Sequence, residues 1–331
     1  MSQKPIAVVT GGCGFIGSHI VDLLVSEGFS VNIIDNLVGG RLTNIANHQD
    51  NPDVKFFELD IRKLKPDNQA FVGATYVFHL AGIGDIVPSI EQPQNYMAVN
   101  ALGTINVLEC ARHANVEKLV YAASSSCYGL AEVPTSESHP IDTKYPYALS
   151  KYQGEQSALH WNKVYGLPVN SIRIFNAYGT RSRTSGAYGA VFGVFLKQKL
   201  ESAPFTVVGD GSQSRDFLYV TDVARAFYAA AKSKTVGEVY NLGAGNPQSV
   251  NRLVELLGGE VTYVPKRPGE PDITWADIRK ITEELDWKPL VSFEEGVQTI
   301  LDNITYWQEA PLWREDSIAS ATKTWFQYMQ E

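Results

Sequence analysis

The sequence predicts an α/β fold in which a doubly wound parallel sheet is joined to a smaller α/β domain. Three observations lead to this prediction. Short apolar strands alternate with segments of helical periodicity over the first half of the chain. A glycine-rich turn separates the first strand from the first helix, and small or polar residues follow several later strands. Ligands bind at the carboxyl ends of the strands in such sheets, so we expect a ligand site there.

The first strand, turn and helix predict a dinucleotide site. Val8 and Val9 end an apolar strand, glycines follow with the spacing G-x-x-G-x-x-G at Gly11, Gly14 and Gly17, and helical periodicity runs from 16 to 25. The glycines allow the backbone to approach a pyrophosphate, and the helix N-terminus offers free N–H groups. A plain glycine-rich turn is the alternative when this stretch is considered alone.

Asp35 strengthens the dinucleotide prediction. It ends the second apolar strand, Val31 to Asp35, roughly 20 residues beyond the glycines, where an acid accepts the ribose hydroxyls. A carboxylate at this place repels a 2′-phosphate, so the sequence predicts NAD and not NADP. A solvated acid at a strand end is the alternative.

The composition narrows the classes of protein to which this chain can belong. The 331 residues are 44% apolar and 19% charged, with a net charge of −8. This acidity disfavours non-specific binding to nucleic acid or to an anionic membrane. No apolar run approaches the roughly 18 residues of a membrane span, and the first strand begins too early to leave room for a signal peptide. The three cysteines, Cys13, Cys110 and Cys127, lack metal-ligand spacing, so we expect reduced thiols, no metal and a cytoplasmic protein.

Later strand ends predict further ligand contacts. Asp60 and Ile61 follow the third strand, where they could bracket an adenine edge, and Ala81 with Gly82 ends the fourth strand with room for close contact. His79 stands in an apolar run, and we expect a buried, hydrogen-bonded histidine and not a catalytic one.

Two clusters predict acid–base chemistry. Three serines, Ser124 to Ser126, follow the fifth strand, and Pro146 opens a helix that places Tyr147 and Lys151 on one face. A nearby ammonium and an oxidised nicotinamide stabilise a phenolate, which can then act as a general base. Turn-forming serines and a surface tyrosine–lysine pair are the alternatives.

The order of glycine turn, Asp35, strand-end serines and Tyr147-x-x-x-Lys151 resembles the extended short-chain dehydrogenase/reductase family, and within it the nucleotide-sugar epimerases and dehydratases. The resemblance covers about residues 5 to 300. It implies that Ser124 shares the substrate proton with Tyr147 and that Lys151 bonds the nicotinamide ribose. It also implies a nucleotide diphosphate sugar as substrate, bound by Ser124, Ser125, Asn176, Arg215 and Arg267. A surface arginine is the alternative for Arg215, and a turn-anchoring salt bridge is the alternative for Arg267.

The residues and the resemblance together predict two domains and one cofactor site. Residues 1–176 form the NAD-binding Rossmann domain, to which 217–242 returns, and 177–331 form mainly the substrate domain. The predicted NAD-binding residues are Gly11, Gly14, Phe15, Ile16, Gly17, Asp35, Asn36, Asp60, Ile61, Leu80, Ala81, Gly82, Asn100, Ala122, Tyr147, Lys151 and Phe175. Family members pair through a four-helix bundle, so we expect a homodimer built on the helices at 100–114 and 147–165.

Departures from the family pattern refine the activity. Ser125 and Ser126 stand where dehydratase relatives carry an Asp-Glu pair, and the glutamate of decarboxylase relatives is also missing. We therefore expect a nucleotide-sugar 4-epimerase that works through a transient 4-keto sugar with tightly bound NAD. A 4-oxidase or reductase and a 4,6-dehydratase are the alternatives, and a non-catalytic NAD(H)-binding regulator is a distant one.

Two features have no assigned role in this scheme. Asp85 lies in a loop that faces the sugar diphosphate in relatives, where it either favours hydroxyl-rich or amino sugars or caps the following helix. The aromatic tail from 310 to 329 extends past the usual end of the family. We expect it to pack against the second domain or to form a subunit contact.

Overall fold

A computed structural model of the chain describes residues 4–182, 184 and 191–329. The segment at 182–188, whose Ser, Thr and Gly content predicts a loop, falls mostly outside these residues. The described strands are β1 (Ile6–Thr10), β2 (Ser30–Asp35), β3 (Val54–Glu58), β4 (Ala74–His79), β5 (Lys118–Ser124), β6 (Val169–Ile174), β7 (Asn176–Tyr178), β8 (Phe205–Val208), β9 (Ser214–Arg215), β10 (Phe217–Tyr219), β11 (Val239–Leu242), β12 (Gln248–Ser249) and β13 (Val261–Val264).

The described helices lie between and after these strands. They are α1 (Phe15–Ser26), α2 (Ile86–Glu91), α3 (Pro93–Tyr96), α4 (Gly103–His113), α5 (Pro146–Tyr165), α6 (Val191–Leu200), α7 (Val220–Lys232), α8 (Val250–Leu257), α9 (Arg279–Leu285), α10 (Phe293–Asp302) and α11 (Glu315–Tyr328). Among the described residues, no helix has both the length and the apolar character that crossing a membrane requires.

Seven strands form the main sheet in the order β3-β2-β1-β4-β5-β6-β11. Every neighbouring pair is parallel. The chain reverses direction across the sheet between β1 and β4, and this is where a crevice opens at the carboxyl ends of the strands. The predicted fold class is confirmed.

Both faces of the main sheet are covered, which explains the continuous apolar runs of its strands. Successive side chains point to opposite faces, so Val9 and Ile33 pack towards α1 and α7. Val8 and Ile34 pack into a second cluster that includes residues of α4 and α5. An apolar stripe on α7 (Val223, Ala226, Phe227 and Ala230) lies in the same cluster as residues of α1.

A separate apolar cluster gathers residues of α6, β8, β10, α8 and α10. Its rings stack closely, with centroids 4.7 Å apart for Tyr178 and Phe192 and 5.0 Å apart for Phe195 and Phe205. Strand β13 pairs with β8 beside it. The predicted boundary after residue 176 falls within β7, directly after its first residue, and the division into two domains stays a prediction.

Candidate active site

The glycine turn leaves a space that side chains would fill. Gly11 has φ of +71°, and a Cβ atom there would lie 2.7 Å from the amide nitrogen of Ala81. A Cβ atom on Gly17 would overlap the carbonyl oxygen of Gly11. Both positions therefore require glycine. The turn passes directly into α1, whose first amides have no acceptor within the helix. This cradle of backbone donors fits a dinucleotide pyrophosphate.

Asp35 lies beside the turn at the end of β2. Its buried carboxylate accepts hydrogen bonds from the amides of Cys13 at 3.0 Å and Leu37 at 2.8 Å. Burial raises the pKa of Asp35, while these hydrogen bonds lower it. Because each carboxylate oxygen can accept two bonds, Asp35 retains capacity for ribose hydroxyls.

The carboxylate of Asp60, which is predicted to contact adenine, is bound by other side chains in the structure. Arg62 holds its carboxylate at 2.6 Å and lowers the pKa of Asp60 to about 2. The Asn36 amide also donates to this carboxylate, at 3.4 Å. The neighbouring Ile61 is buried, with its Cδ1 atom against Gly103. These residues lie at the predicted adenosine end, and their contact with a nucleotide stays a prediction.

Ser124 and Tyr147 meet at the end of β5. Ser124 is buried, its hydroxyl lies beside the phenol of Tyr147, and it accepts from the Ser126 amide at 3.2 Å. Burial raises the pKa of Tyr147, the Ser124 hydroxyl lowers it, and the charge of Asp85 raises it. The fold thus joins the serine and tyrosine that the sequence placed 23 positions apart.

Lys151 lies one helical turn beyond Tyr147, on the face of α5 that the spacing predicts. Its Nζ atom lies 4.6 Å from the centroid of the Tyr121 ring. Burial lowers the pKa of Lys151 to about 8, and Glu155 raises it. The spacing of Tyr147 and Lys151 predicts that this ammonium lowers the pKa of Tyr147. Burial instead dominates and raises that pKa, because aromatic neighbours surround the phenol.

Those aromatic neighbours are Tyr145 and Tyr96, which the sequence argument missed. The Tyr145 ring is parallel to that of Tyr147 within 4°, with centroids 6.5 Å apart. Tyr96 meets Tyr147 edge-on at 6.4 Å. A dense run of tyrosines from 145 to 152 was the available signal.

Asp85 does not cap α2 with its side chain, so that expectation is wrong. It precedes the helix with φ of +77° and makes no side-chain cap hydrogen bond. The Tyr96 hydroxyl donates to the carbonyl of Gly84 and so holds this loop against the tyrosine cluster. Asp85 consequently acts on the Tyr147 phenol through its charge.

Other predicted cofactor residues lie near the carboxyl ends of β4, β5 and β6 or hold the loops there. The Asn100 side chain bonds the backbone of Ile83 at 2.8 and 2.9 Å and the Ser150 hydroxyl at 2.9 Å, and so braces α5 against the β4 loop. Thr10 accepts from the amides of Leu80 and Ala81. Ala122 is buried on β5, and the Phe175 amide donates to Leu242. His79 lies fully buried between the hydroxyls of Thr10 and Thr104, as expected for a core histidine.

Two of the predicted diphosphate residues converge on one carboxylate. Arg215 and Arg267 both bond Glu270, at 2.8 and 2.9 Å. The salt bridge that was the alternative reading of Arg267 is therefore present. A cavity of about 390 Å³ opens beside Arg215, Lys266 and Glu270. Two guanidinium groups that converge on one carboxylate can equally hold a diphosphate. The Asn176 side chain accepts from Thr274 at 2.7 Å.

The sequence profile of the family described as GDP-mannose 4,6 dehydratase matches residues 8–300. A putative UDP-glucose 4-epimerase from Methanocaldococcus jannaschii is 38% identical over 304 residues, which covers 89% of this chain and 97% of that protein. The chain belongs to the extended short-chain dehydrogenase/reductase family. The resemblance inferred from the motifs is thereby confirmed.

Solved structures of the extended short-chain dehydrogenase/reductases share the whole fold. A UDP-glucuronic acid 4-epimerase from Bacillus cereus, in complex with UDP-glucuronic acid and NAD, matches with a TM-score of 0.84 and 31% identity over 91% of this chain and 99% of that one. The dTDP-glucose 4,6-dehydratase DesIV from Streptomyces venezuelae, with NAD bound, matches with a TM-score of 0.83 and 27% identity over 92% and 99%. Epimerases and dehydratases are thus both represented among the relatives.

Proposed function

We propose that this protein is a nucleotide-sugar 4-epimerase that uses tightly bound NAD. The observation that carries the proposal is the approach of the Ser124 hydroxyl to the Tyr147 phenol, one turn of α5 before Lys151, whose Nζ atom lies near Gly82. This arrangement supports a proton acceptor next to a dinucleotide site. Epimerases among the relatives support the same activity.

The residues of the crevice fit NAD. Gly11 and Gly17 would leave room for the pyrophosphate, Asp35 would accept the ribose hydroxyls, and Lys151 would bond the nicotinamide ribose. Bound NAD would supply a hydride acceptor for the sugar C4 and then a hydride donor to the opposite face of the 4-keto sugar.

Tyr147 moves the proton. As a phenolate it takes the proton of the C4 hydroxyl, directly or through Ser124, and returns it after the sugar has turned. Burial raises the pKa of Tyr147, so the phenolate needs compensating stabilisation. The Ser124 hydroxyl supplies part of it, and the Lys151 ammonium one turn away supplies more.

Arg215, Arg267 and Asn176 hold the nucleotide diphosphate while the 4-keto sugar rotates about its phosphate linkage. Glu270 is the shared counter-ion of the two arginines in the structure, and the incoming diphosphate would take its place as their counter-charge. Bidentate contact between guanidinium and phosphate fixes the nucleotide and leaves the sugar free to present either face.

The 4,6-dehydratase is the second candidate, because dehydratases are among the relatives. Elimination needs a proton donor near the leaving hydroxyl. By resemblance, Ser125 and Ser126 replace the carboxylic acids that serve this role, and a serine hydroxyl is a much weaker acid. A 4-oxidase or reductase shares the first half-reaction and differs in releasing the ketosugar.

The deciding experiment incubates the protein with a panel of nucleotide sugars and identifies products by NMR. Inversion at C4 without added oxidant supports the 4-epimerase. Accumulation of a 4-keto-6-deoxy sugar indicates the dehydratase, and release of a ketosugar that requires external NAD indicates the oxidase. NAD(H)-dependent association without exchange of the C4 hydrogen indicates a regulator.

We also propose that the protein is a cytoplasmic homodimer that pairs through α4 and α5. Large apolar side chains stay exposed on α5 and directly before α4, namely Leu102, Leu149, Val164 and Tyr165. Such a patch supports burial against a second copy. Light scattering coupled to size exclusion gives the mass, and a monomer at micromolar concentration contradicts the proposal.

A further inference from the structure

The C-terminal helix α11 reaches the proposed diphosphate site, although it lies beyond the part of the chain that the family profile matches. Its first half packs where the sequence suggested, because Ile318 is buried in the cluster of α6, α8 and α10. Its last turn leaves that cluster and contacts the segment that carries Arg267. The position of α11 therefore links the second apolar core to the active site.

Trp325 makes the main contact. It is 5% exposed, and its ring centroid lies 5.4 Å from the Cζ atom of Arg267. Its indole nitrogen donates to the carbonyl of Pro268 at 2.8 Å. One side chain thus holds both the guanidinium and the backbone turn that presents it.

The chain neighbours of Trp325 make further contacts with α2 and with the turn that follows Arg267. Thr324 donates to Glu91 of α2 at 3.0 Å, and a Cβ atom on Gly269 would lie 3.6 Å from the Met329 side chain. Trp325 also lies 6.4 Å from Tyr145, whose ring is parallel to that of Tyr147. The helix therefore spans from the arginine turn to the aromatic neighbours of the phenol.

We propose that Trp325 is a positioning residue that orients Arg267 for the substrate diphosphate, so that α11 forms one wall of the nucleotide-sugar site. The proposal rests on the proposed function, since it takes Arg267 as a diphosphate ligand. When a diphosphate takes over from Glu270, the guanidinium loses the carboxylate that fixes it. The indole face still attracts the cation and uses none of its N–H donors.

The test measures nucleoside diphosphate binding to the full-length protein by calorimetry. UDP, dTDP, GDP, CDP and ADP are titrated into the wild type, and the tightest binder becomes the probe for the variants. Trp325→Leu keeps an apolar side chain and removes the ring, whereas Trp325→Phe keeps a ring face and removes the N–H. Tyr328→Ala is the matched control, because Tyr328 is an aromatic residue of the same helix that is 65% exposed.

We expect Trp325→Leu to raise the Kd of the probe about tenfold, Trp325→Phe to stay within about threefold, and Tyr328→Ala to match the wild type. The Kd for NAD should be unchanged in all three, which shows that the fold is intact. In turnover assays, Trp325→Leu should raise KM and leave kcat nearly unchanged. In an Arg267→Ala background, Trp325→Leu should have no further effect on the probe, because the tryptophan acts through the arginine.

Several results would overturn the proposal. They are wild-type affinity in Trp325→Leu, an equal loss in the Arg267→Ala background, or no binding of any of the five diphosphates to the wild type. Failure of the epimerase proposal looks different. Tryptophan-dependent binding without C4 inversion leaves this inference standing, whereas C4 inversion with an unaffected Trp325→Leu variant refutes it and leaves the epimerase standing.

Discussion

Substitution of Glu155 by glutamine tests how the catalytic helix is anchored. Glu155 is 1% exposed and bonds Arg173 at 2.6 and 2.9 Å, while Ser171 donates to it at 3.0 Å. Removing one partner of a buried ion pair typically costs about 3–5 kcal/mol. Glutamine retains one acceptor, so we expect a loss of about 3 kcal/mol in the free energy of unfolding.

The same change should act on catalysis through Lys151. Burial lowers the pKa of Lys151 to about 8, and the Glu155 carboxylate partly opposes this. Without that charge the pKa falls further, so the ammonium is lost at lower pH. Because the ammonium supports both the nicotinamide ribose and the phenolate, the alkaline limb of kcat/KM should move to lower pH.

Two assays check these effects, with a double variant as the control. Urea unfolding gives the free energy of unfolding, and a pH profile of kcat/KM gives the position of its alkaline limb. Glu155→Leu combined with Arg173→Met removes both charges, and it should recover most of the stability that Glu155→Gln loses. A loss below about 0.5 kcal/mol in Glu155→Gln, or an alkaline limb that stays in place, would refute the reasoning.

Two further predictions concern the phenol and the glycine turn. Asp85→Asn removes a charge that raises the Tyr147 pKa, so the phenolate should form at lower pH and the acidic limb of kcat/KM should move to lower pH. An acidic limb that stays in place would contradict this effect of the Asp85 charge. Gly17→Ala forces a Cβ atom into the Gly11 carbonyl. This should lower the free energy of unfolding by about 1–3 kcal/mol and weaken NAD binding in a fluorescence titration. The control is Gly28→Ala, where the added Cβ meets open space but φ is +82°, and it should lose stability without losing NAD affinity. Equal NAD affinity in Gly17→Ala and the wild type contradicts the cradle.

Local patterns were enough to predict the main sheet and the centre of the site. Alternating apolar segments encode the buried strands, the glycine spacing encodes the turn, and the four-residue interval encodes the shared face of Tyr147 and Lys151. Each of these signals lies within a short stretch of chain. They can therefore be recognised in the sequence without knowledge of the tertiary fold.

Contacts between distant segments were not predictable in this way. The salt bridge between Glu155 and Arg173 joins a helix to a strand, and no sequence pattern around either residue indicates its partner. Asp85 looked like a helix cap because of its position before α2, but its positive φ turns it away from that role. The contact of Trp325 with Arg267 depends on the path of α11, which no local pattern specifies.

The central claim is that Tyr147 carries the proton in C4 chemistry, and Tyr147→Phe tests it most directly. The variant removes one oxygen and keeps the ring that packs against Tyr145 and Tyr96. On the nucleotide sugar that the wild type epimerises, we predict that kcat falls by about 10²–10⁴-fold, while the Kd for the nucleoside diphosphate is unchanged. Turnover of Tyr147→Phe at the wild-type rate would contradict the account.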